Sequence, residues 1–173
     1  MNIFQNPAPQ QWSELCRRAE QDNSLIAERV EAIVERVAKE GDKALYELAE
    51  QIDGVKLESL AVSEQEFADA EQSVSEDVKA AIEEAVANIE SFHRAQLPSE
   101  VRVETQPGVV CVQRPVPISR VGLYIPGGTA PLFSTVLMLA LPAKIAGCKE
   151  IVLCTPTDKQ GRVAAEVLYA ARR

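Results

Sequence analysis

Three features of the chain predict an α/β fold: a helical N-terminal segment, then a β-hairpin, then an incomplete Rossmann-like parallel β-α-β-α unit. Residues 24–97 carry apolar side chains at helical spacing, and residues 101–116 alternate or run apolar around a Pro-Gly pair. From Arg120 onward an apolar strand, a glycine loop, an apolar helix and a second apolar strand follow one another. A crossover helix between two apolar strands implies parallel pairing and a right-handed connection.

Each element has its own signals. From Ser24, the spacing of Ile26, Val30, Ile33, Val34 and Val37 predicts an amphipathic helix, with acids in its first turn and Gly41 just past its end. Asp42 is placed to cap a second helix, striped by Leu45, Leu48, Ala49 and Ile52 and stopped by Gly54. A short extended piece at 59–62 leads to Ser63, which forms a capping box with Glu66. Ser75 opens a long helix on which Val78, Ile82, Val86, Ile89 and Phe92 are expected to face inward, and Leu97-Pro98 ends it. VRVETQ and VVCVQRPV flank Pro107-Gly108 as a hairpin. RVGLYIP, the loop, an apolar helix, EIVLCTP and a last helix from about Asp158 complete the order. The predicted divisions are a helical region at 1–98, the hairpin and connection at 99–119, and a truncated Rossmann-like domain at 120–173. Two strands are too few for a parallel sheet, so the chain is expected to be part of a longer protein or to complete its sheet with a partner.

Composition narrows the function classes. The 173 residues are 46% hydrophobic and 25% charged, which is ordinary for a globular chain able to bury a core. Residues 1–100 hold 22 acidic against 9 basic side chains, and residues 101–173 hold 4 against 9. The front therefore disfavours nucleic acid, and the back is the better host for an anionic ligand. Cys16, Cys111, Cys148 and Cys154 form no C-x-x-C pair, and MNIFQNPAPQQW is too polar for a signal sequence. A reducing cytoplasm, with buried structural cysteines, is the expectation. The longest apolar run, 132–146, contains Pro142 and Lys144, so no membrane span is predicted.

The stretch YIPGGTAP carries the chemistry. In open α/β sheets, ligands bind at the carboxyl ends of the strands, where a loop passes the chain to a helix. Gly127 and Gly128 allow unusual backbone dihedrals and close approach, Thr129 or Ser134 offers a hydroxyl near a helix N-terminus, and Tyr124 offers a flat ring to a base or ribose. A Gly-Gly pair after a strand also serves as a plain tight turn, and the spacing is neither G-x-G-x-x-G nor a P-loop. His93, the only histidine, is placed as a packed helix residue and not a metal ligand. The acidic runs over 28–90 are read as solvated faces.

RVGLYIPGGTAPLFSTVLMLALPAKIAGCKEIVLCTP resembles the histidinol dehydrogenase family. So do NIESFHRAQLPSEVRVETQPGVVCVQRPVPISRVGLY and ERVAKEGDKALYELAEQIDG, and the resemblance spans nearly the whole chain. It implies an NAD- and zinc-dependent, homodimeric, cytoplasmic enzyme that oxidises L-histidinol through L-histidinal to L-histidine. It implies NAD contacts from Tyr124 and Pro126 in the 120–173 domain. At Ile52-Asp53 the family usually has phenylalanine before the aspartate. The zinc ligands and acid–base residues that the resemblance implies match nothing up to Arg173, which leaves this chain expected to be inactive by itself. Rival readings are an interaction or scaffold domain whose sheet a partner chain completes, and a related aldehyde-type dehydrogenase fold.

Overall fold

A computed structural model describes residues 3–17, 23–127 and 130–173. The chain divides into two compact units, Met1–Glu47 and Leu48–Arg173.

The first unit is helical. A single 3-10 turn, Pro9–Gln11, runs into α1 (Trp12–Leu15), and α2 (Ser24–Glu40) follows. Gly41, at a φ of 61°, ends α2 by donating its N–H to Val37 O. No acid lies in the first turn of α2: Ser24, Leu25, Ile26 and Ala27 precede Glu28, so that expectation is corrected. α3 (Asp42–Leu48) crosses into the second unit, and Asp42 stands inside its first turn rather than capping it, because Gly41 O already accepts from Ala44 N. Arg36 bridges the two helices, pairing with Glu40 at 3.2 Å and with Glu47. The apolar stripe of α2 is only partly covered: Ile33 and Val37 are half-buried, whereas Leu25, Ile26, Val30 and Val34 are exposed.

The second unit begins with a π turn, Ala49–Asp53, closed by Gly54 in the left-handed region. Residues 59–61 bend rather than extend, because the Ser59 hydroxyl bonds the Ala61 backbone in both directions. Ser63 caps α4 (Glu64–Ser73) as its sequence requires. The Ser63 hydroxyl accepts from Glu66 N at 3.3 Å, and the Glu66 carboxylate accepts from Ser63 N at 2.7 Å. α5 (Glu76–Ala95) buries Ile82 completely, with Val78, Val86 and Ile89 packed around it. Phe92 was expected to continue this stripe but is 64% exposed, lying edge-on to His93 at 5.7 Å. One turn beyond Ile89, α5 has run past the core it covers.

β1 (Val101–Gln106) and β2 (Val109–Gln113) form the antiparallel hairpin, turned by Gly108 at a φ of 82°. Every hairpin side chain is exposed. β3 (Arg120–Tyr124) and β4 (Glu150–Cys154) pair in parallel, in register from Arg120 opposite Glu150 to Tyr124 opposite Cys154. Between them runs α6 (Phe133–Ala146), a 14-residue helix that continues through Pro142 and ends at Gly147. Among the described residues no helix is long and apolar enough to cross a membrane.

The last helix, α7 (Ala165–Ala171), starts seven residues after Asp158. The intervening chain folds into a turn instead, with Gly161 at a φ of 77° donating to Asp158 O. A left-handed residue there is incompatible with helix. The core lies where α6, packed on the sheet, meets α5 and α7, with Ile82, Ile125, Val136, Leu137 and Leu141 at its centre. Val121, Leu123, Ile151 and Leu153 turn towards those helices, whereas Gly122, Tyr124, Val152 and Cys154 occupy the open face. The cysteines are correspondingly not buried: Cys111 and Cys154 are exposed because the hairpin and the open sheet face have no cover among the described residues, Cys16 is exposed at the end of α1, and Cys148 is half-exposed just after α6. The observed architecture is the α/β arrangement expected, with a helical lead-in, a hairpin and an incomplete parallel unit.

Candidate cofactor cleft

A cleft of about 260 Å³ opens where β3 and β4 both end. β3 hands over through Ile125, fully buried and bonded to Cys154 O at 2.9 Å, to Pro126 and Gly127. β4 hands over through Thr155, Pro156 and Thr157. These two loops form the walls, and Leu132, Val163 and Val167 supply apolar surface. The position is the one expected for a ligand in an open α/β sheet.

The Asp158–Arg162 turn closes one side. Asp158 Oδ1 accepts from Gln160 N at 2.9 Å and Arg162 N at 2.8 Å, and Oδ2 accepts from the Arg162 guanidinium at 3.3 Å. Above all the Arg162 backbone N–H, with the Gln160 N–H and the guanidinium beside it, holds the Asp158 carboxyl below its ordinary range. The turn rests on the chain that follows α3. A Cβ on Gly161 would lie 3.4 Å from Val55, and the Lys159 ammonium donates to Asp53 O at 3.3 Å. Ile52, beside that carbonyl, is exposed in the π turn.

The residues singled out in the sequence are split by the fold. Pro126 and Gly127 line the cleft. Tyr124 does not: it lies one residue before Ile125, on the open sheet face, and is 64% exposed. Ser134 is exposed in the first turn of α6, outside the lining, and Gly128 and Thr129 lie outside the described residues. Pro156, Asp158 and Arg162 escaped sequence reasoning, although the Thr-Pro-Thr that follows β4 marks a second strand exit to match Ile-Pro-Gly after β3. Part of the basic surplus of the back half is taken up in ion pairs. Arg172 pairs with Glu64 at 2.9 Å, Arg173 with Glu83 at 2.7 Å and Arg114 with Glu100 at 2.8 Å, each answering a carboxylate of the acidic front.

The family model described as histidinol dehydrogenase matches residues 16–173. The chain belongs to the histidinol dehydrogenase family. It is 49% identical over 172 residues to histidinol dehydrogenase of Bacteroides thetaiotaomicron, covering 99% of this chain and 40% of that protein. It is 60% identical over 146 residues to that of Mannheimia succiniciproducens, covering 84% of this chain and 33% of that protein. The crystal structure of histidinol dehydrogenase from Elizabethkingia anophelis superposes with a TM-score of 0.88 at 42% identity, over 96% of this chain and 39% of that one. The chain thus spans about 40% of the length of the B. thetaiotaomicron relative and corresponds to the N-terminal part of such histidinol dehydrogenases.

Zinc does not fit the described residues. Among the described residues there is no group of three or more His, Cys, Asp or Glu that could hold a metal ion, and His93 packs against Phe92. The cleft walls, by contrast, suit part of a nucleotide: two small-residue loops, apolar flanks, and hydroxyls at Thr155 and Thr157.

Proposed function

We propose that the chain forms the cofactor-binding N-terminal part of a histidinol dehydrogenase. That enzyme oxidises L-histidinol through L-histidinal to L-histidine, with two NAD molecules each accepting one hydride, in histidine biosynthesis. Family membership supports the reaction. The observation that carries the cofactor assignment is the cleft at the carboxyl ends of β3 and β4, with Pro126 and Gly127 in its wall.

NAD supplies the hydride acceptor; the residues of this chain hold and orient it. About 260 Å³ lies below the 300–1,000 Å³ typical of complete ligand sites, so the cleft takes one nucleoside portion and the remainder extends beyond it. Tyr124, exposed on the open face next to the β3 exit, offers its ring to that remainder. Ile125 fixes both wall loops to the core. Substrate, zinc and proton transfer belong on this reading to the remaining length of the enzyme, and no step through them is assigned to residues 1–173. The reading extends to a cytoplasmic homodimer, in keeping with the exposed apolar side chains along α2.

The test is a titration of NAD into the purified chain with an assay of NADH formation from L-histidinol alongside. Binding without turnover is expected. Absence of binding would overturn the cofactor assignment in favour of an interaction domain, and turnover by the chain alone would overturn the placement of the catalytic residues outside it.

A further inference from the structure

Glycine is required at a position for one of two reasons: a backbone conformation that other residues avoid, or lack of room for a side chain. Gly41, Gly54, Gly108, Gly147 and Gly161 satisfy the first, all having positive φ. Gly127 does not belong to that group. Its backbone is one that any L-residue adopts, but a Cβ built on it would meet Pro156 Cγ at 2.6 Å, with Cβ and Cδ of the same ring at 3.6 and 3.8 Å. Real Cβ atoms essentially never approach a heavy atom below 3.0 Å, and a proline ring closed on its own backbone cannot swing aside like the tip of a long side chain. The direction in which a side chain would grow from Gly127 is thus filled by protein and not by ligand space.

We propose that Gly127 is a positioning residue: its missing side chain lets the Pro156 ring seat against the Pro126-Gly127 loop, and that contact sets the spacing of the two strand-end loops that wall the cleft. The proposal rests on the reading that this cleft takes the cofactor. It replaces the idea that Gly127 is bare so that a ligand can touch its backbone. The two residues sit one position out of step, Gly127 three residues past Tyr124 and Pro156 two past Cys154, which are paired in register at the ends of β3 and β4. A methyl group between them pushes one loop outward and changes the width of the cleft, while Ile125 and the strand pairing stay in place.

Three variants of the chain decide it: Gly127→Ala, Pro156→Ala and the double substitution, each followed by NAD titration and thermal melt. Gly127→Ala is expected to raise the NAD dissociation constant about tenfold and to lower the melting temperature. The double variant, in which the ring is gone, is expected to return both to the values of Pro156→Ala alone. Wild-type affinity in Gly127→Ala overturns the proposal. So does a double variant that melts like Pro156→Ala yet still binds NAD weakly, because the glycine is then needed by the ligand itself. If Gly127→Ala fails to fold, the double decides: folding and binding like Pro156→Ala supports the contact, and failure while Pro156→Ala folds overturns it. An unmodified chain that binds no NAD counts against the cofactor reading, and the three melting temperatures then judge the loop contact on their own.

Discussion

Tyr124 and Cys154 face each other at the last rung of the parallel pair, both exposed on the sheet face that no described helix covers. The Tyr124 ring therefore contributes little to the packing of this chain. If it stacks on part of the cofactor, Tyr124→Ala should weaken NAD several-fold, about 1 kcal/mol, with the melting temperature unchanged within about 2 °C. A titration and a melt on the same sample separate the two effects. A lower melting temperature with unchanged affinity contradicts the role given to Tyr124.

The Asp158 turn predicts a pH dependence. Its carboxyl is depressed in the folded chain, mainly by the Arg162 N–H, so it favours the folded state above the ordinary aspartate range. That contribution disappears as pH falls through the ordinary range towards the lower folded value. Asp158→Asn should melt below the wild type at neutral pH, and the gap should close on acidification. A gap that stays constant or widens as pH falls runs against this account of the turn.

Two positions on one stripe of α5 should behave differently. Ile82 is fully buried and Phe92 is 64% exposed, although both follow the same helical spacing. Ile82→Ala should cost about 3 kcal/mol, and Phe92→Ala about 0.5 kcal/mol, read by urea denaturation of each variant. Similar losses at both sites would mean that Phe92 is covered in solution.

Much of the fold is legible in the sequence because its signals are local. Ser63 and Glu66 bond each other across one turn, Gly41 and Gly54 end their elements, and the apolar runs of β3 and β4 pair as expected. What escapes is set by distant neighbours. Periodicity places Phe92 and the α2 stripe on apolar faces but does not say whether anything covers them. Helix-compatible residues after Asp158 conceal a turn that Gly161 makes at positive φ and that lies against Val55 and Leu57. At the cleft, the loop that leaves β3 is legible from the strand-loop-helix order, and Pro126 enters the cofactor reading through the family resemblance. Pro156 is not, because its relation to Gly127 arises only when two strands 30 residues apart lie side by side in register.

The account turns on the cleft between the β3 and β4 exits being where the cofactor binds. Two-dimensional amide NMR of the isotope-labelled chain, titrated with NAD, tests that directly. Saturable shifts concentrated at Ile125, Gly127, Thr155, Thr157 and Arg162, with β1 and β2 unmoved, are the predicted result. Saturable shifts that spare those residues and gather elsewhere, or none at any NAD concentration, would contradict it.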